Sequence, residues 1–524
     1  MKNLKLILLL SLSLGLGVIG YKYYSIATVK VLDVAIIGGG VSGLYAAYRL
    51  SDVKSVAVFE ANPRLGGRIF TVEAPDTEGL LAEMGAMRFK ASQENLYGLV
   101  TKALNLAIED ADYLGHQYFY FLKGKKILTK DYPYPLANNE KGKSPSELYL
   151  AAIFSIAPTL AKATTLKEIE PILQTTKVRD QTGNEYFLYQ LSAQAALKHY
   201  LTAAGYDLTY DAFGFKSFFS DKSNAYDVFL EIMRNYQEQK FFELKDGMGA
   251  LISKLAEKAI KQGVDIHTQH KLTAIKQITL KGEPVFALYF DDNIHYAHKV
   301  ILTLSAKALA HLSPDSILFS DPKVVQLLGS MNSNPARKLF FVYEKPWWHE
   351  LGYTKGRAYT DLPLQQIYYF NDNEKAGLLL ATYNDVPDFP IPDCKDESIL
   401  YQNQHALKNT NPVSECLVNT VQAQLQAVHS EIELPMPKSA IYMDWGMLPY
   451  GGAWHFWKPG LKSWELIPKI RKPYPELDLY IAGDNFSYVT SWVDGAITNV
   501  EKLLVSEFNL ERADWIPEDY DLGP

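Results

Sequence analysis

Residues 31–50 read VLDVAIIGGGVSGLYAAYRL, and after a short connection SVAVFE follows at 55–60. An apolar, β-branched run, a glycine turn, an apolar stretch with helical spacing and a second apolar run form a strand–turn–helix–strand unit. Gly38, Gly40 and Gly43 fit the Gly-x-Gly-x-x-Gly pattern. Such glycines permit a tight turn and let the helix N-terminus, here Val41 and Ser42, face a pyrophosphate. Glu60, followed by Ala61, puts a carboxylate at the tip of the second strand, where the ribose hydroxyls of a dinucleotide are held. The spacing alone is weak evidence. GLGVIG at 15–20 has it too, but YKYYSIATVKV follows, with neither a helix nor an acid in place. The complete unit makes GGGVSG the nucleotide turn and sets the fold class as α/β.

The decoy lies in a different kind of segment. No acid precedes Asp33, and Lys2 and Lys5 come before an uncharged, mostly apolar run from Leu6 to Tyr21. This is the layout of a signal peptide or short membrane anchor over 1–28, with Ser25-Ile26-Ala27 offering small residues for cleavage. Lys5 and Lys22 would snorkel if the segment stayed attached. The expectation is an exported or anchored protein, in a bacterial periplasm or outside the cell. A net charge of -7 and a pI near 5.9 argue against a nucleic-acid partner, which requires a concentrated basic face. The 524 residues, 48% of them hydrophobic, suffice for more than one lobe. Cys394 and Cys416 leave two readings open, a disulfide or two thiols. His267 and His270 form a close histidine pair, and no metal is assigned to them.

After Glu60 comes ANPRLGGRIFT, in which Arg64, Gly67 and Arg68 bring positive charge and close backbone approach to the same pyrophosphate. Together with LDLYIAGDNFSYVTSWVDGAITNVEKLL at 477–504, this stretch resembles the flavin-containing amine oxidase family. Within it the chain is most similar to L-amino-acid oxidases and the related tryptophan 2-monooxygenases. The resemblance implies an α/β (α+β overall) architecture: a Rossmann-like FAD-binding domain, a mixed-sheet substrate-binding domain and a helical subdomain. The FAD-binding parts would be 29–95, 244–304 and 446–524, the last carrying the segment that closes the active site. The substrate-binding parts would be 96–131 and 305–445, and the helical subdomain 132–243. The cofactor implied is FAD. It would be noncovalent, because 477–504 contains no Cys where covalently flavinylated relatives carry one. Leu272 would lie by the adenine. Gly483, Ile497 and Asp484, where many relatives have Glu, would lie near the flavin, with a helix N-terminus near Asp494 pointing at its pyrimidine.

The same resemblance implies a substrate site. In MGAMR, Gly85, Ala86 and Met87 would run along the flavin, and Arg88 would clamp a carboxylate with its planar fork of donors. A structural ion pair is the other role open to a buried arginine. Tyr383, in LLLATYN, would donate to that carboxylate. Trp492 would wall the substrate amino group, with the Ser491 carbonyl accepting from it, while Tyr450 and Trp454 would close the pocket. Lys338 would reach flavin N5 through a water, with Arg337 the alternative in register. The activity implied is oxidative deamination of an L-amino acid by hydride transfer from Cα to flavin N5. Imine hydrolysis would then give a 2-oxo acid and ammonia, and O2 would become H2O2. A 2-monooxygenase releasing an amide, a quinone-linked dehydrogenase and a silent FAD-binding module remain open. Membrane association through the N-terminus and a homodimer are both compatible with the chain.

Overall fold

The structure, a computed structural model, describes residues 29–524 except 51–52, 54, 76, 112–115, 181, 238–239, 292, 371–375, 386–412 and 448–451. The expected signal segment with its GLGVIG, Tyr450 and Cys394, and with Cys394 the choice between a disulfide to Cys416 and two thiols, therefore lie outside the described residues. Among the described residues no helix is long and apolar enough to cross a membrane.

Val31–Ile37 is a central strand of a seven-stranded sheet. It pairs in parallel with Val56–Phe59, which in turn pairs with Asp265–His267. On its other side it pairs in parallel with Ile294–Leu302. That strand is shared between two partners. Its first half runs antiparallel to Glu283–Phe290, whereas Val300, Ile301 and Leu302 pair with Leu479–Ile481. A strand covered on both faces reads as a continuous apolar run, as VLDVAII does. Val34 and Ile36 pack with the helices Val41–Arg49, Gly249–Lys261 and Val493–Glu507, while Leu32, Ala35 and Ile37 pack with Phe286, Leu288 and Ile467 on the opposite face.

A second seven-stranded sheet has the order Ser439–Asp444, Arg337–Tyr343, Gly377–Asn384, Gln366–Tyr369, Gly356–Thr360, Gln117–Leu122, Lys125–Ile127. Only the pair Gly356–Thr360 and Gln117–Leu122 is parallel, so the sheet is mixed. Alternation along Arg337–Tyr343 gives its two faces different work. Leu339, Phe341 and Tyr343 pack with the helix Glu415–Val428. Lys338 points to the other face, opposite Tyr383 across the strand pair, and Gln366 and then Tyr359 continue the row. Arg337, the alternative in register, donates Nε to Asp444 at 2.8 Å.

The helices Pro145–Ile156, Leu166–Thr175, Ala193–Lys198, Ala203–Ala212 and Ala225–Gln237 form a separate cluster. Ser144 and Glu147 cap the first reciprocally, which satisfies two otherwise orphaned donors. Asp385 ties the cluster to the second sheet by accepting from the Lys216 and Ser217 N–H groups at 2.9 and 2.8 Å.

One buried histidine behind that sheet carries a prediction. His429 is fully buried among Phe119, Trp347 and Tyr369, with Nε2 2.8 Å from the Tyr369 hydroxyl. Burial, helped by the Lys126 charge and opposed by Glu431, pulls its pKa down to about 3. The unfolded chain binds this proton near pH 6.5, so stability contributed by neutral His429 is present above about pH 6.5 and is lost as pH falls toward about 3. His429→Phe should flatten the decline in melting temperature between those values, followed by circular dichroism. Equal slopes in the two proteins would remove His429 as its source.

Candidate active site

A cavity of about 490 Å³ runs from the glycine turn to the inner face of the second sheet. Gly38, Gly40, Val41, Ser42, Glu60 and Ala61 line one end, and Lys338, Tyr383, Ser491 and Trp492 the other. The turn requires its glycines. Gly38 has φ +111°, and a Cβ on Gly43 would lie 1.9 Å from the Gly38 carbonyl oxygen. Gly43 thus brings the helix against the turn without reaching the cavity. At Gly40 a Cβ would meet nothing nearer than 3.9 Å, at the Cα of Gly67, so backbone lies open to the cavity there. Glu60 is buried, and its carboxylate accepts from the Gly39 N–H at 2.7 Å and from the Asn62 backbone and amide N–H groups at 2.8 Å. The acid is fixed at the strand tip by neutral donors, with Leu272 and His270 lining the wall nearby. A cradle of open backbone and a fixed carboxylate at one end, with aromatics and a lysine at the other, fits a dinucleotide that carries a flat ring.

The arginines after Glu60 line the cavity while engaged with protein groups. Arg64 donates to the carbonyls of Leu65, Gly67 and Ile69, and burial lowers its pKa to about 10 against the pull of Glu60. Arg68 donates to the Ala453 carbonyl at 2.8 Å and to Asp484 at 2.6 Å. Both act first as braces of the loop.

At the far end Lys338 is 1% exposed, and its Nζ donates to the carbonyls of Glu83 and Gly85 at 2.8 and 2.7 Å and to the Met87 sulfur at 3.2 Å. Burial pulls its pKa down to about 7; neighbouring Glu83 opposes this and Arg88 adds to it. The Glu83 carboxyl is itself pushed up by burial, although the Met248 N–H and the Thr71 hydroxyl donate to it. Lys338 Nζ sits 4.7 Å over the Tyr383 ring. Burial raises the Tyr383 pKa, with the Arg88 charge opposing, so the phenol stays protonated at neutral pH and can donate. The Arg88 guanidinium lies 5.3 Å over the Phe241 ring. Phe241 stacks on Trp492, with ring centroids 6.3 Å apart and an interplanar angle of 17°. Trp492 caps the helix Val493–Glu507 and donates Nε1 to Glu231 at 2.6 Å. Ser491 has φ +74°, a left-handed turn that Asp484 holds by accepting its N–H at 2.5 Å. Trp454 lines the same end, its ring 6.0 Å from Tyr383.

Met87 and Ile497 are buried in hydrophobic cores. Gly483 has φ +137°, and its carbonyl accepts from Asn499. Ala86 and Gly85 line the cavity, whereas Arg88 is not among its lining residues and acts on Lys338 and Tyr383 through charge.

Several residues of the site escaped the sequence reading. Glu83, Glu231 and Phe241 belong to distant segments, and no local pattern marks them. Thr303 had a signal: it ends the strand VILTL, and its hydroxyl donates to the Ile37 and Gly38 carbonyls at 2.9 and 3.1 Å, bracing the turn. His455 adjoins Trp454 in sequence, is fully buried, and has Nδ1 3.6 Å from Asp484.

Comparison with known proteins agrees with this geometry. Residues 41–499 match the family described as flavin containing amine oxidoreductase. The chain is 25% identical to aplysianin-A of Aplysia kurodai over 92% of its length and 91% of that protein's. It is 26% identical to an L-amino-acid oxidase of Crotalus adamanteus over 74% and 73% of the two lengths. A putrescine oxidase structure with bound putrescine superposes with a TM-score of 0.66 over 92% of this chain and 100% of that one, at 18% identity, which shows a common fold. A flavin cofactor, a small-molecule substrate and oxygen follow from the family match. The chain is an oxidoreductase and belongs to the flavin-containing amine oxidoreductase family.

Proposed function

We propose that this protein is an L-amino-acid oxidase holding FAD noncovalently. The observation that carries the reading is that the Arg88 charge acts on both Lys338 and Tyr383, which line the buried end of the cavity. A simple amine offers such an arginine nothing to bind, whereas an amino acid offers its carboxylate. The names of the Crotalus and similar relatives support the same substrate class. Bound in the cavity, FAD supplies the two-electron oxidising chemistry. Glu60 and the Gly38–Gly43 turn would hold its nucleotide arm. The residues of the chain then have separate tasks. Arg88 and the protonated Tyr383 bind the carboxylate, the Ser491 carbonyl accepts from the amino group, and Trp492 and Trp454 enclose the substrate and exclude water. Lys338, with its pKa near neutrality, holds or moves a proton through water at the reaction centre. Positioning of this kind accounts for much of an oxidase's rate.

We also propose the partition of the chain into FAD-binding, substrate-binding and helical parts given by the sequence, and export or anchoring through residues 1–28, which the pattern Lys2, Lys5 and an uncharged run supports. The expected result with purified protein is an oxidised-flavin spectrum released on denaturation, and equal yields of H2O2 and 2-oxo acid from at least one of the twenty L-amino acids. An amide product would favour the 2-monooxygenase, and flavin reduction without H2O2 under air the quinone-linked dehydrogenase.

A further inference from the structure

Trp492 lines the substrate end of the cavity, and its backbone is set by the turn before it. Ser491 has φ +74°, and Trp492 itself stands extended at the start of the helix Val493–Glu507. Its ring is held by other groups. Phe241 stacks on it, with centroids 6.3 Å apart and planes 17° from parallel. Such a stack restrains the plane of an indole but accepts either of the two orientations related by a half-turn about χ2. The half-turn carries the N–H to the opposite edge. An acceptor at one edge therefore selects between the two, and Glu231 supplies it, accepting from Trp492 Nε1 at 2.6 Å.

Glu231 is itself fixed. It is buried, on the helix Ala225–Gln237, and Asn235 one turn further on donates its amide N–H to the carboxylate at 2.7 Å and to the Glu231 carbonyl at 2.9 Å. Arg234 stands beside it, with Nη1 4.0 Å from the carboxylate oxygen that Trp492 does not use, and donates the same Nη1 to the Tyr488 carbonyl at 3.1 Å. This helix thus grips the segment that ends in Trp492 at two points, Tyr488 and Trp492. A buried indole N–H turned away from its acceptor loses that bond and gains no water in return. The ring keeps the orientation that reaches Glu231.

We propose that Glu231 is a positioning residue for amino-acid oxidation, which locks the Trp492 indole in the orientation that walls the substrate amino group. This rests on the reading of Trp492 as that wall. Glu231 is not among the residues lining the cavity and acts through Trp492. Every L-amino acid brings the same amino group, so Glu231 governs how well substrates are oxidised and not which side chain is chosen.

The test measures kcat/KM from H2O2 production with the twenty L-amino acids, using flavin-loaded wild type, Glu231→Leu, Trp492→Phe and the variant carrying both changes. Glu231→Leu should lower kcat/KM about tenfold, the size expected when one buried hydrogen bond loses its acceptor, and by the same factor for every amino acid oxidised. Phenylalanine has no N–H to place, so in the Trp492→Phe background the same change should cost less than about twofold. Glu231→Gln keeps an acceptor and should recover to within about threefold of the wild type. It carries the same comparison of backgrounds if Glu231→Leu cannot hold flavin. A loss that is equal in both backgrounds would overturn the proposal, because Glu231 would then serve only the fold. So would wild-type turnover in Glu231→Leu, or a loss confined to amino acids with basic side chains, which would make Glu231 a direct ligand. If Trp492→Phe leaves kcat/KM unchanged for every amino acid, the reading of Trp492 as the wall falls and takes this one with it.

Discussion

Arg88→Ala should raise KM for L-amino acids on the order of a hundredfold or more, the cost of removing one partner from a desolvated, bidentate charge pair. Tyr383 can still donate one hydrogen bond, but a neutral phenol does not replace a guanidinium. Bound flavin should not change, because Arg88 is not among the residues lining the cavity with the glycine turn and Glu60, and its charge acts on Tyr383 and Lys338 at the other end. A second readout separates loss of the clamp from a general disturbance. Arg88 is one of the causes that lower the Lys338 pKa, so without it the ammonium loses a repelling neighbour and its pKa rises. Any acidic limb of the pH–rate profile that belongs to Lys338 should therefore move to higher pH in the variant. Oxygen consumption at saturating and limiting substrate across pH measures both effects. Unchanged KM for every amino acid would show that the carboxylate is bound elsewhere.

Gly43→Val should remove the cofactor. The Cβ alone would sit 1.9 Å from the Gly38 carbonyl oxygen, 3.1 Å from its carbon and 3.1 Å from the Thr303 hydroxyl. The obstacle is backbone, so the helix must withdraw from the turn, and a β-branched side chain allows few rotamers to ease the clash. The helix N-terminus would then no longer face the pyrophosphate at hydrogen-bonding distance. Purified variant should carry on the order of tenfold less flavin per chain, read from the ratio of visible to ultraviolet absorbance. Gly282→Ala is the control for handling a left-handed glycine. Gly282 has φ +87° but nothing within 4 Å of its Cβ position, so some stability should be lost and flavin retained. Full flavin content in Gly43→Val would mean that the turn tolerates the displacement.

The two variants probe parts of the molecule that were legible to different degrees in the sequence. The strand, turn, helix and second strand at 31–60 were legible because period, glycine placement and the acid all lie within thirty residues and reinforce one another. Lys338 was legible for a different reason: a lysine in an apolar strand must be buried for a purpose, and strand alternation separates it from Arg337. What the sequence hid arises from topology. Glu83 reaches Lys338, Glu231 reaches Trp492, and Phe241 stacks between Arg88 and Trp492, each across a large gap in the chain. Arg64 and Arg68 show the converse. Their charge was visible, but the carbonyls and the Asp484 carboxylate that occupy them were not.

The division of Ile294–Leu302 between two partners has a consequence for how the protein is made. Its last residues wait for Leu479–Ile481, which emerges only after the whole second sheet has been synthesised. Until then, Val300 to Leu302 present an open apolar edge, the kind of surface on which nascent chains aggregate or pair wrongly. The first sheet, though it starts first, is completed last, and a chain interrupted before residue 479 would be left with that edge uncovered.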